Sequence, residues 1–147
     1  DAEMLALAQI IRQEFDYCLV DSPAGLGQGY HLATLIADRA VVVTTTDVSA
    51  LRDAQRTVME LQHFPVGKAH MVINRVDKKM LKSLHTNLDD AMDTAGLPLL
   101  GIIPEDRDLP FCLNRGIPLR MFSYYAAKAY DHIAQRITGE KVPLMKI

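Results

Sequence analysis

An aspartate and a glycine follow the first apolar run of the sequence at a spacing that suits magnesium and phosphate. The run that starts at Tyr17 leads directly into Asp21, and Gly25 comes four residues later. A carboxylate at this place can accept hydrogen bonds from the water that Mg²⁺ usually keeps when it binds beside phosphates. A glycine lets its backbone N–H approach a phosphate because it has no side chain. The same pattern also fits an aspartate that caps the next helix, with glycines that only turn the chain.

Two later apolar runs end in polar residues that could hold a nucleotide base. Asn74 ends one run, with Arg75 behind it, and its amide can offer an acceptor and a donor to the N6 and N7 edge of adenine. An Asx turn that closes the strand explains Asn74 equally well. The last run ends in Pro104, Glu105 and Asp106. Pro104 can pack on an adenine face, while Asp106 can bond a ribose hydroxyl or cap the following helix.

The glycines after the first run also invite comparison with a dinucleotide-binding loop. They are Gly25, Gly27 and Gly29. The third glycine comes one residue early for the GxGxxG pattern, and no acidic residue ends a strand about 20 residues later. The sequence therefore disfavours a dinucleotide site.

The elements that must position these residues are short apolar runs separated by helical patterns. Four runs are predicted strands: 17–21, 40–45, 69–74 and 98–104. They are mostly continuous, as expected of strands covered on both faces. Helical spacing of apolar residues predicts helices over 2–14, from Val48 to Leu61, from Asn87 to Ala95 and from Tyr130 to Ile137. The alternation predicts an α/β fold with three layers, a mostly parallel sheet with flanking helices, and residues 1–147 as a single domain.

Composition narrows the class of function. A formal net charge of −2 argues against broad nucleic-acid binding, which needs a concentrated Lys/Arg surface. Cys18 and Cys112 have no metal-ligand spacing, and Cys18 lies in an apolar run, which predicts a buried thiol. No signal peptide and no apolar run of about 20 residues is present, so we expect a cytoplasmic location.

Several segments, taken in order, resemble the MinD-type ATPases of the ParA-like deviant Walker family. They are Phe15-Asp16-Tyr17, Val20-Asp21-Ser22-Pro23-Ala24-Gly25, Val48-Ser49-Ala50-Leu51-Arg52-Asp53-Ala54, Ile73-Asn74-Arg75, Gly101-Ile102-Ile103-Pro104-Glu105-Asp106 and Asn114-Arg115-Gly116-Ile117-Pro118. The match spans nearly the whole chain. It favours MinD-type over plasmid-partition ParA proteins, and FlhG-type flagellar-placement ATPases remain close alternatives.

The resemblance implies a role for each residue of the strand-end set. Asp21 would act on Mg²⁺ through water, and Gly25 would lie in the switch segment that senses the γ-phosphate of ATP. Asn74, with Arg75 beside it, would contact adenine. The turn 104–106 would frame the base and the ribose. We therefore expect ATP and Mg²⁺ as cofactors.

The resemblance also implies partners for the complete protein. The helix that carries Arg52, Asp53 and Arg56 would lie near a surface for dimerisation and partner binding, although salt bridges on a solvated face explain these residues equally well. The complete protein would form a homodimer when ATP-bound. It would act with MinC- and MinE-like division regulators, peripherally at the inner face of the cell membrane.

The sequence departs from the family pattern at the phosphates. It contains neither GxxxxGK[ST] nor the lysine-rich variant of that loop, so this chain alone is not expected to hydrolyse ATP. In the family a short amphipathic helix that lies on the membrane usually follows, and we expect it to be absent or truncated after Lys141. A non-catalytic interaction module is the alternative that needs no missing segment. In the family, the strand before the phosphate loop lies between the strand over 17–21 and the strand over 40–45. For this chain alone we expect those two strands to pair directly or to associate with another chain.

Overall fold

The structure, a computed structural model, describes residues 1–65, 67–77, 96–121 and 123–145. The helices and strands in these ranges are α1 (Ala2–Glu14), α2 (Gln28–Ile36), β1 (Ala40–Thr44), α3 (Val48–Glu60), β2 (Ala69–Val76), β3 (Leu99–Pro104), α4 (Leu109–Arg115) and α5 (Tyr124–Ile137). The predicted helices over 2–14 and from Val48 are confirmed. The final helix begins at Tyr124 rather than at Tyr130, and α4 was not predicted. The helix predicted from Asn87 to Ala95 lies outside the described residues.

The three strands form a parallel sheet in the order β1-β2-β3. Val43 of β1 lies beside Val72 of β2, which in turn lies beside Gly101 of β3. Helix α3 packs on one face of the sheet, where Val42 contacts Ala54 in a buried cluster. Helix α5 packs on the other face, over β2 and β3. The predicted α/β architecture with a parallel sheet between helices is therefore confirmed. No helix in the described ranges is both long and apolar enough to cross a membrane.

The packing of α5 on the sheet depends on a missing side chain at Gly101. A Cβ at this position would overlap Cγ1 of Ile133 on α5, so only glycine lets the helix approach β3 this closely. We expect Gly101→Ala to destabilise the fold by about 1–3 kcal/mol, the usual cost of overpacking a core. Urea unfolding followed by circular dichroism measures this cost.

Gly27 supplies the control for that experiment, because nothing lies within 4 Å of a Cβ added there. Gly27 is the N-cap of α2, where alanine is less favourable than glycine, so Gly27→Ala should cost something but less than Gly101→Ala. If the overlap with Ile133 is the cause, Gly101→Ala should cost less in an Ile133→Ala background than in the native one. Equal costs in the two backgrounds would show that the helix does not restrict this glycine.

The strand predicted over 17–21 is not formed, and this prediction is wrong. The segment between α1 and α2 is irregular. Leu19 is 90% exposed, and Tyr17 and Val20 are exposed too. Cys18 is exposed too, which corrects the prediction of a buried thiol. A strand needs a neighbour for its backbone N–H and C=O groups. Within the described part of the chain, no strand pairs with this segment.

The predicted direct pairing of 17–21 with β1 does not occur either. Helix α1 packs instead against α2: Arg12 donates hydrogen bonds to the backbone oxygen of Ile36 at 3.0 Å and to Asp38 Oδ1 at 2.9 Å. His31 Nε2 also lies 3.2 Å from Asp1 Oδ2. These contacts hold α1 on α2. The residues that connect the two helices do not join the sheet.

Among the strands that the structure describes, β1 is consequently at the edge of the sheet, and two of its apolar residues are exposed. Val41 is 42% and Val43 60% exposed, on the face that α5 covers over β2 and β3 but leaves bare over β1. The edge of β1 and the segment 17–21 are the two parts of the chain that were predicted to pair with each other or with another chain, and both expose apolar residues. Association with another chain stays a prediction.

Candidate functional site

The carboxyl end of β2 contains a break in its pairing with β3. The strand was predicted to end at Asn74, but it continues to Val76 after a break in the pairing with β3 between Ile73 and Val76. Arg75 has a φ of 57°, a left-handed conformation that is uncommon for residues other than glycine. Asn74 Oδ1 accepts a hydrogen bond from the Arg75 N–H at 2.9 Å. This contact to the next residue is one residue short of the bond that defines an Asx turn, so it supports the irregular backbone locally, and both interpretations of Asn74 stay predictions.

Arg75 joins the ends of two strands. Its Nε donates a hydrogen bond to Glu105 Oε2 at 2.9 Å, directly after β3. This hydrogen bond and the charge of Glu105 raise the pKa of Arg75, and the negative charge of Asp47 acts in the same direction. Asp47 precedes α3 just beyond β1 and accepts a hydrogen bond from Thr45 Oγ1 at 2.7 Å. The carboxyl ends of β1, β2 and β3 therefore lie at one edge of the sheet, and the Arg75 charge is directed at protein carboxylates. Asp21, which was also predicted to end a strand there, does not follow a strand.

The turn after β3 combines a buried proline with a carboxylate that organises the backbone. Pro104 is buried at the end of the strand. Asp106 Oδ1 accepts a hydrogen bond from the Asp108 N–H at 2.9 Å, and Asp108 is the residue before α4. Asp106 therefore supports the start of the helix without being its cap. That role agrees in part with the capping alternative, and it occupies one of the two carboxylate oxygens.

A cavity of about 320 Å³ opens beside this turn. Residues 104–108 line it together with residues 123–125 at the start of α5. Its volume is at the lower end of the range for small-molecule sites, about 300–1,000 Å³, so it suits one ring system better than an entire nucleotide. Asn74, Asp21 and Gly25 are not among its lining residues. The structure thus brings Pro104, Glu105 and Asp106 to one cavity and links Asn74 to them through the adjoining Arg75.

Asp21 and Gly25 lie in the irregular segment between α1 and α2, not at the end of a strand. Both are exposed. Gly25 has a φ of 88°, a conformation that favours glycine. In the described ranges, no group of three or more His, Cys, Asp or Glu side chains could hold a metal ion. A lone carboxylate such as Asp21 fits the manner in which Mg²⁺ binds with phosphates and water, and it does not form a protein cage for a metal.

The predicted partner surface on α3 is exposed throughout. Arg56 Nη1 lies 4.0 Å from Asp53 Oδ1, one turn away, with both side chains more than 70% exposed. A pair of this kind adds little stability. Arg52 on the same helix is exposed as well. The pairing fits the interpretation of a solvated face, and the role in partner binding stays a prediction.

Three groups that border the strand ends were not predicted from the sequence. Asp47 follows β1, Ser123 caps α5 by accepting the Ala126 N–H at 3.1 Å, and Tyr124 and Tyr125 begin that helix beside the cavity. A Ser-Tyr-Tyr-Ala sequence before a helical pattern is a helix-start signal. This signal was not used, because the final helix was predicted to begin only at Tyr130.

Comparisons with known proteins agree on one family. The chain is 40% identical to the septum site-determining protein MinD of Bacillus subtilis over 141 residues, which are 94% of the chain and 53% of that protein. A MinC:MinD cell division protein complex from Aquifex aeolicus superposes with a TM-score of 0.88 at 31% identity, covering 99% of the chain and 61% of the solved one. MinD of Pyrococcus horikoshii in complex with Mg-ADP gives a TM-score of 0.74 at 25% identity, with 93% and 56% covered.

No protein-family model matches the chain. The chain spans about half the length of the curated relatives that it matches. Repeated matches to septum site-determining MinD proteins at 31–40% identity cover about 95% of the chain. They agree with the resemblance found in the sequence and with the observed fold. This chain belongs to the MinD family.

Proposed function

We propose that this chain supplies the base-binding part of a Mg-ATP-dependent ATPase that determines the site of the division septum. One observation supports this most strongly. The ends of β2 and β3 are joined by the Arg75–Glu105 hydrogen bond at 2.9 Å beside a cavity, in a chain of the MinD family. In open parallel sheets, ligands bind beyond the carboxyl ends of the strands. The MinD of Pyrococcus horikoshii, solved with Mg-ADP, supports the choice of nucleotide.

The two ends of the nucleotide would be held by different parts of the protein. Asn74, Pro104 and Asp106 would contact the adenosine part from the ends of β2 and β3. Asp21 would orient water around Mg²⁺, and Gly25 would offer its N–H near the terminal phosphate. When bound, Mg²⁺ supplies positive charge that neutralises the phosphates. The phosphate loop has no counterpart in these 147 residues, so the chain alone should not turn over ATP.

The complete protein would work as an ATP-bound homodimer at the membrane. It would recruit a MinC-like division inhibitor, respond to a MinE-like regulator, and move between the cytoplasm and the inner face of the cell membrane. The solved MinC:MinD complex of Aquifex aeolicus supports the MinC-like partner. We place the contact surface on α3, where Arg52, Asp53 and Arg56 are exposed.

Asn74→Ala is expected to weaken adenosine binding to this chain. Removal of one hydrogen-bonding side chain costs about 1–2 kcal/mol, or roughly 5- to 30-fold in affinity. The Asn74 side chain also accepts a hydrogen bond from the Arg75 N–H, so the variant must retain the native unfolding midpoint before its affinity is interpreted. Calorimetric titration with adenosine measures the change. Equal affinity of a folded Asn74→Ala variant and the native chain would leave Asn74 with its local backbone hydrogen bond alone.

The gene sequence upstream of the Asp1 codon tests the proposal at little cost. A glycine- and lysine-rich phosphate loop encoded there is the expected result. An unrelated domain, or a start codon immediately before Asp1, would contradict the proposal and favour a non-catalytic module. Co-purification separates the remaining alternatives: a MinC-like partner is expected, while a flagellar or DNA partner would indicate an FlhG- or ParA-type role.

A further inference from the structure

Two exposed tyrosines stand at the cavity without a part in the proposed function. Tyr124 is 71% and Tyr125 54% exposed, although both are large aromatic residues. They line the cavity of about 320 Å³ together with the turn after β3. Aromatic side chains usually bury most of their surface, so an adjacent exposed pair at the mouth of a cavity indicates a binding surface.

The two rings contact each other at the start of α5. Their centroids lie 5.7 Å apart at an interplanar angle of 81°, an edge-to-face contact. Lys128 Nζ lies 5.7 Å from the centroid of the Tyr124 ring, one turn along α5. Ser123 caps the helix end through the hydrogen bond that it accepts from the Ala126 N–H. Two rings at nearly a right angle offer a planar ligand the face of one ring and the edge of the other.

The charges around the cavity indicate which part of a ligand enters it. Among its lining residues, Glu105, Asp106 and Asp108 are acidic, and Arg107 alone is basic. An excess of carboxylates repels phosphate and accepts hydrogen bonds from amino and hydroxyl groups. A neutral ligand with such donors, the base and ribose of a purine nucleoside, fits this lining, whereas a triphosphate does not.

We propose that Tyr124 and Tyr125 form an aromatic wall on which a purine base stacks inside this cavity. The inference rests on the proposed nucleotide-binding function and adds to it two positioning residues outside the strand-end set. Stacking on an aromatic side chain is worth about 1–3 kcal/mol per base. The wall therefore supplies binding of the base that does not depend on the phosphates.

Titration of the 147-residue chain with adenosine tests the wall. Tyr124→Ala and Tyr125→Ala should together weaken adenosine binding by about 5- to 150-fold, the equivalent of one stacking contact. The paired phenylalanine variants keep both rings and should bind as the native chain does. Alanine is a strong helix former, so the alanine variants should retain α5, which circular dichroism checks. Tyr17→Ala, at an exposed tyrosine of the irregular segment between α1 and α2, is the matched control and should change nothing.

The outcomes separate the wall from the function on which it rests. Inorganic triphosphate should not compete with adenosine for the cavity, and competition would overturn the proposal. Loss of affinity in Asn74→Ala with none in the paired alanine variant would also overturn the wall while leaving the base site at the strand ends. If the alanine pair instead keeps adenosine affinity and loses self-association or a protein partner, the tyrosines form a protein interface and the proposal is wrong. Absence of adenosine binding by the native chain would also overturn the proposal of the aromatic wall. The proposed function is then tested separately by the gene sequence upstream of Asp1.

Discussion

Asp21→Asn is expected to lower ATP hydrolysis by about 10- to 100-fold in a polypeptide that joins this chain to a glycine- and lysine-rich phosphate loop. A group that acts on a metal through its bound water belongs to the outer shell, and loss of such a group typically costs this much in affinity or activity. Asparagine keeps the size of the side chain and removes only its charge. Because Asp21 is exposed in an irregular segment, the substitution should not alter folding. Phosphate release at saturating ATP and varied Mg²⁺ measures the effect.

Asp16→Asn provides the matched control, since Asp16 is another exposed acid of the same segment. It removes an equal charge five residues earlier and should leave the rate unchanged. A requirement for more Mg²⁺ in Asp21→Asn alone would locate the defect at the metal. If Asp21→Asn hydrolyses ATP as fast as Asp16→Asn and the native polypeptide, Asp21 only shapes the turn before α2.

Val43→Lys is expected to turn a self-associating chain into a monomer. In the described part of the chain, no strand pairs with the outer edge of β1, and Val43 is exposed there; both features favour strand pairing with another copy. A lysine at the edge opposes such pairing, and we expect association weaker by about tenfold or more, equivalent to at least 1.4 kcal/mol. Val43 is 60% exposed, so the substitution costs little in the core. Sedimentation velocity over a wide range of protein concentration measures the change.

Val48→Lys, at a 67% exposed valine on α3, adds the same charge away from the sheet edge and should leave association unchanged. A native chain that remains a monodisperse monomer at every concentration would contradict the prediction. In that case the edge of β1 is exposed to solvent but does not pair with another copy of the chain.

The strands that the sequence predicted correctly are those whose neighbours lie in this chain. β1, β2 and β3 have continuous apolar runs, and each run finds a parallel partner and a covering helix. The run over 17–21 is also apolar, but in the part of the chain that the structure describes no strand pairs with it, and Leu19 is 90% exposed. Apolar composition is a local property, whereas a strand depends on the groups beside it. This dependence explains why the same pattern succeeded three times and failed once.

The chemistry of the site was predictable by residue type and less so by conformation. Strand ends with Asn74 and with Pro104 to Asp106 were identified from spacing, and they do lie on neighbouring strands. The left-handed conformation of Arg75 and its hydrogen bond to Glu105 arise from a shift in strand register, which a one-dimensional pattern does not encode. The cavity beside Tyr125 depends on how α5 meets the turn after β3, a tertiary contact without a sequence motif.

The central claim is that this chain, which has no phosphate loop, binds a nucleotide mainly through its base, since Asp21 and Gly25 without that loop should add little affinity. Calorimetric titration of the 147-residue chain with adenosine and, separately, with Mg-ATP tests that claim most directly. The groups at the ends of β2 and β3 serve both ligands equally, and the chain has no phosphate loop. Both ligands should therefore bind weakly, with affinities that differ by less than about tenfold. Sub-micromolar binding of Mg-ATP, far tighter than that of adenosine, would contradict the claim.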